Sequence, residues 1–179
     1  MSPRRKAERT SALNVMTAGS LWLPRQPEGP YPARYAAVVD SQLVGFWSSD
    51  WGYDSAMEDE WLVLRADGTG WRAYLRPWYT SATLFRWALS GPGTLRVDTY
   101  REVVLDEWDG REDLAVTRVD QTLEVAYRTE QGTRPLLDSP VSLLTVDLPF
   151  LDLGGAYAFA DPEEPRRDFL HSAGIQSAV

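Results

Sequence analysis

Trp61-Leu62-Val63-Leu64-Arg65-Ala66-Asp67-Gly68-Thr69-Gly70-Trp71-Arg72-Ala73-Tyr74-Leu75 places two strand-like runs on either side of an Asp-Gly pair. Glycine takes the positive φ that a tight β-turn demands, so Asp-Gly between β-branched and aromatic segments predicts a hairpin. The same logic recurs outward along the chain. Ser90-Gly91-Pro92-Gly93 lies between the runs 85–89 and 95–97, and Asp109-Gly110 and Gln131-Gly132 mark two further turns. Period-two patterning between these turns predicts strands near 44–50, 60–66, 70–78, 82–89, 94–104, 114–119, 122–129 and 141–148, with 155–160 as a closing strand. Hairpins in series make a meander, and about eight strands remove their exposed edges by closing on themselves. The expected fold is all-β: an antiparallel up-and-down barrel of about eight strands, occupying 32–160.

Outside that body, Pro32 and the spacing of Tyr35, Val38, Val39 and Leu43 predict a short helix leading into the first strand. Residues 1–31 are polar and end in Pro24, Pro27, Gly29 and Pro30, which reads as a flexible N-terminal arm or lid. Residues 161–179 follow Pro162 and Pro165 as a C-terminal tail.

A chain of 179 residues supports one core, and 44% hydrophobic with 25% charged residues is a globular composition. The net charge of -8 repels a polyanion and argues against nucleic acid as a partner, while it attracts a basic protein. Lys6 is the only lysine among the eighteen basic residues. No cysteine is present, which removes disulfides, thiolate nucleophiles and zinc-thiolate sites together. No apolar run reaches the roughly 20 residues of a membrane span. The stretch Ser11 to Leu23 lacks a secretory pattern, so the expected location is cytoplasmic.

Strand phase supplies the candidate interior. Thr83, Phe85, Trp87 and Leu89 alternate with Arg86, and Leu123, Val125 and Tyr127 alternate with Glu124 and Arg128. By the same rule Trp71, Ala73 and Leu75 point inward in preference to Arg72, Tyr74 and Arg76. In the fifth strand Leu95, Val97, Thr99 and Val103 share a face with Arg101. Trp71, Phe85, Trp87, Arg101 and Tyr127 are therefore the candidate ligand-binding residues. A small eight-stranded interior holds either side chains or one small ligand, and the sequence leaves both open. An inward guanidinium at Arg101 would need a carboxylate, a carbonyl, water or a ligand's anionic group, with Tyr127 and Arg118 as neighbours able to share that role.

Other chemistry is sparse. His171 is the only histidine and stands in the tail, too close in sequence to Ser172 for a catalytic pair. Acidic clusters at Asp50 and Asp54, at Glu58-Asp59-Glu60, and at Asp106, Glu107, Asp109, Glu112 and Asp113 lack the spacing of a calcium loop. Each glycine pair sits in a hairpin instead of opening a helix, which removes phosphate-binding loops. No metal and no cofactor are expected.

The segments Leu43-Val44-Gly45-Phe46-Trp47, 61–70 and Phe85-Arg86-Trp87 running on to Leu95-Arg96-Val97 resemble the bacterial lipocalin-like domains of the calycin group. The resemblance covers roughly 43–129. It implies an up-and-down barrel in which Trp47 closes one end, a cavity opens at the other, and a late arginine, Arg128 or Arg134, lies on that tryptophan. Three functions follow as expectations: a non-enzymatic barrel binding a small hydrophobic molecule, a protein-interaction module such as an immunity protein that neutralises a toxin, and a cofactor-independent cyclase acting on a polyene or polyketide.

Overall fold

The computed structural model describes residues 38–54, 57–108 and 111–165. The predicted arm 1–31, the start of the predicted helix, the Asp109-Gly110 turn, and most of the tail, His171 included, lie outside them. Eight strands run in order: β1 (Gly45–Ser48), β2 (Asp59–Leu64), β3 (Thr69–Arg76), β4 (Tyr79–Gly91), β5 (Thr94–Trp108), β6 (Arg111–Gly132), β7 (Val141–Val146) and β8 (Ala156–Asp161). Each pairs antiparallel with the next, and β8 pairs back onto β1, closing the ring. The hairpin at Asp67-Gly68 forms as its sequence dictates: Gly68 has φ 77°, and Asp67 Oδ1 accepts from Thr69 N at 2.9 Å and from Thr69 Oγ1 at 2.6 Å.

Four details differ from the expectation. Residues 38–44 form no helix; Leu43 N donates to Asp40 O at 3.0 Å and Gln42 N to Asp40 Oδ1 at 2.9 Å. The aspartate offers the backbone a turn that competes with helix. The two strands predicted near 114–119 and 122–129 are one, β6, since nothing around Asp120 and Gln121 breaks an extended chain. Gln131-Gly132 makes no tight hairpin; β6 ends there and residues 133–140 loop away to dock through Leu136 N on Gly52 O at 2.9 Å. The β3–β4 turn falls at Pro77-Trp78, beginning two residues earlier than the pattern suggests, with Arg76 paired to Tyr79 and Trp78 at φ 63°. Proline presets the first turn position and leaves the second to take a positive φ, the geometry of a type II turn.

Both faces of the sheet carry buried side chains, in two clusters. The first gathers Trp47 of β1, Leu62 and Leu64 of β2, Phe85 and Trp87 of β4, Leu95 and Val97 of β5, Val125 of β6, Leu144 and Val146 of β7 and Tyr157 of β8. Only the lumen is reached from nearly every strand, so this cluster is the barrel interior. The second contains Phe46, Trp61, Val63, Trp71, Ala73, Ala82, Leu84 and Val103, all from β1 to β5. It occupies the opposite, outer face of those strands.

Two departures from regular pairing shape this arrangement. Gly70 faces the lumen, where a Cβ would stand 2.6 Å from the Phe85 ring and 2.6 Å from Val63 O. In β5 the register shifts between Thr99 and Arg101: Tyr100 is an extra residue against Leu84 and Phe85 of β4, a bulge on that side, while β6 sets Val119 and Asp120 opposite it. A bulge inserts one residue and turns everything beyond it to the other face.

Candidate functional site

The five residues selected from strand phase do not converge. Phe85 and Trp87 point into the lumen and are 0% and 2% exposed, and Tyr127 joins them at its margin. Trp71 lies on the outer face, so the β3 assignment is corrected: Gly70 and Arg72 face inward and Trp71 and Ala73 outward. Hydrophobicity picked the wrong face because both faces of β3 are covered. Arg101 is corrected for a different reason. The Tyr100 bulge keeps Leu95, Val97 and Thr99 inside but sends Arg101 and Val103 outside, where Arg101 pairs with Leu84 and Arg118.

The lumen is packed. Trp87 Nε1 donates to Thr69 O at 3.0 Å, and Tyr127 Oη donates to Asp40 Oδ2 at 3.1 Å. Burial, and then that hydrogen bond, push the Tyr127 hydroxyl above its ordinary pKa. The β7–β8 connection supplies filling of its own: Phe150 tilts against Phe85 with centroids 6.0 Å apart, and Leu148 and Leu151 pack beside it. Trp47 is fully buried, donates Nε1 to Leu43 O at 2.9 Å and meets Phe159 edge-on at 5.1 Å. Of the two candidate late arginines, Arg128 is on the surface, and Arg134 is buried but stacks 4.3 Å from the centroid of Tyr53. Arg134 Nη1 donates to Ser49 O at 3.3 Å and Nη2 to Ala156 O, tying two loops together beside an open cleft.

A polar cluster that strand phase did not select sits inside the barrel. Glu60 of β2, 0% exposed, accepts from Arg72 Nε at 2.6 Å, Tyr157 Oη at 2.6 Å, Asp152 N at 3.0 Å and Leu153 N at 3.1 Å. Arg72 in turn donates to Ser81 Oγ at 3.2 Å and to Asp152 Oδ2. Burial and the bond to Glu60 drive the Tyr157 hydroxyl far above its ordinary pKa. Glu60 looks like a general base in isolation, yet four donors occupy about all the lone-pair positions a carboxylate has. The cluster is a clasp holding the β7–β8 connection onto β2 and β3. Among the described residues no group of three or more His, Cys, Asp or Glu could hold a metal ion, and no helix is long and apolar enough to cross a membrane.

Outside the lumen, one stretch of the sheet gathers exposed acids and an exposed tryptophan. The distal half of β5 and the early half of β6 form the outermost ribbon of the sheet: β4 pairs with β5 out to Asp106, whereas β7 reaches only as far as Tyr127 on β6. On one face of that ribbon Asp106 stands directly opposite Asp113, and both are exposed. Trp78 is at its flank, since Glu107 N donates to Trp78 O at 2.8 Å, and this tryptophan is 66% exposed as well as left-handed. Carboxylates facing each other across a strand pair destabilise it, and a non-glycine residue at positive φ adds strain. Acid pairs and exposed tryptophan were both visible in the sequence, but only strand register brings them to one spot.

By architecture the chain is an eight-stranded antiparallel barrel closed in sequence order. No family model matches it, and no curated protein or solved structure does so either.

Proposed function

We propose that the protein is a non-enzymatic interaction module that binds a basic protein partner through the tip of the β5–β6 ribbon. The observation that carries this reading is the acid-and-tryptophan tip, where Asp106 and Asp113 face one another beside the strained, exposed Trp78. Lysine or arginine from a partner would relieve the carboxylate repulsion and gain the indole face, and tryptophan is among the residues that dominate binding energy at interfaces. The net charge of -8 would speed the encounter with such a partner. A toxin-neutralising immunity protein is one member of this class.

The test is native co-purification from the host with mass identification, comparing the wild type with Asp106→Asn/Asp113→Asn. A basic partner that is lost at high salt and lost with the double variant supports the reading. A partner held equally by the variant, or an acidic one, overturns it. The same substitutions should stabilise the free protein by about 0.2–1 kcal/mol, since they remove a cross-strand repulsion.

A second reading, a small hydrophobic ligand in the lumen, is favoured by one feature: the connection carrying Phe150 and Leu151 fills space that strand side chains do not. Displacing it would open apolar volume beside Phe85 and Trp87. Native mass spectrometry of host-purified protein tests this, and an adduct that Phe85→Ala abolishes is the supporting result.

A further inference from the structure

We infer that the free edge of β6 joins two copies of this chain in an antiparallel pair centred on Ala115. β6 has β5 on one side, but on the other its partner strand β7 begins only at Tyr127, so residues 111–125 present an unpaired edge among the described residues. Such a row of free N–H and C=O groups is a template for another strand, and natural proteins usually blunt it with bulges, prolines or inward charges. Here residues 113–118 are exposed, and the apolar members of the stretch are Leu114 at 46% and Val116 at 55%.

Cross-strand register says what the edge is missing. Trp61, Ala73, Ala82, Val103 and Val116 form one straight row over five strands, the first four buried and the last exposed. Leu75, Thr80, Leu105 and Leu114 form the next row on the same outer face. Among the described residues both rows stop at an apolar side chain with no strand beyond it, so the strand that continues them must carry two apolar residues spaced by two. β6 is itself such a strand. A two-fold axis normal to the sheet keeps outer faces together, and with the axis at Ala115 each Leu114 falls opposite Val116 of the other copy, with Asp113 opposite Thr117. Moving the axis to Val116 sets Leu114 against Arg118, and moving it to Thr117 sets Leu114 against Asp120, so the first register is the one the side chains fit. The interface is isologous and closes on itself.

This pairing uses the strand edge and the outer face, whereas Asp106 and Asp113 lie on the other face of the ribbon, so it stands independently of the partner reading. Sedimentation of the full chain from low to high micromolar concentration tests it. The expected mass rises from 20.2 kDa toward twice that value, and further on adding salt, because screening removes repulsion between two acidic molecules. Leu114→Lys/Val116→Lys should remain monomeric with unchanged near-ultraviolet circular dichroism, while Asp106→Asn/Asp113→Asn should still dimerise. Amide exchange along 113–117 should slow with concentration in the wild type only. A wild type that stays monomeric throughout, or a dimer that survives the double lysine variant, overturns the inference.

Discussion

Replacing Glu60 with alanine leaves the buried Arg72 guanidinium with only Ser81 and the solvent-exposed carboxylate of Asp152, and frees two backbone N–H groups of the β7–β8 connection. Breaking a buried pair from one side costs about 3–5 kcal/mol, so Glu60→Ala should lower denaturant stability by that order, and chemical denaturation measures it. Tyr157 gives a pH signature. Its folded pKa is raised, so up to about pH 10 the hydroxyl is protonated in both states and its contribution is flat. Above that, the unfolded chain sheds the proton and the folded chain keeps it, so stability falls by up to about 1.4 kcal/mol per pH unit. Tyr157→Phe should flatten that alkaline slope, read from urea midpoints on either side of pH 10. None of this cluster was legible from the sequence, where Glu60 belonged to an ordinary acidic run. Twelve residues separate it from Arg72 and ninety-seven from Tyr157, and only barrel closure makes them neighbours.

Turns and bulges decide the behaviour of the elements. Gly70→Ala would press a methyl group into Val63 O and the Phe85 ring, and since one of those neighbours is backbone the strain cannot be shed by a rotamer change. Overpacking of this kind costs about 1–3 kcal/mol, which thermal unfolding would show. Trp78→Gly should move stability the other way. Glycine occupies the left-handed turn position without the roughly 1–2 kcal/mol that an L-side chain incurs, so the variant should melt higher than wild type while losing affinity for a basic partner. A gain in stability with unchanged binding would show Trp78 to be a tolerated accident of the turn. The sequence located the hairpins at Asp67-Gly68 and Ser90 to Gly93 because turn chemistry is local. It expected a tight hairpin where β6 ends at Gly132 and misplaced the β3–β4 turn, where the decisive influence was pairing with a neighbouring strand.

Across the whole molecule, the two proposed associations respond oppositely to ionic strength. Partner binding at the acidic tip weakens with salt, and pairing of β6 edges strengthens, so titrating salt separates them in one preparation. The sequence by itself determined that the chain is all-β, with about eight antiparallel strands in series, because period-two patterning and glycine turns act over a few residues. It also determined the inward faces of β4 and of the later part of β6, where apolar and charged residues alternate cleanly. Only the tertiary structure decided the rest. β3 is covered on both faces, so hydrophobicity could not choose between Trp71 and Arg72. The Tyr100 bulge reverses β5 within a uniform-looking pattern and puts Arg101 outside. The open edge beside the acid pair exists because β6 outruns β7, and the relative length of two strands in the sheet is a property of its closure alone.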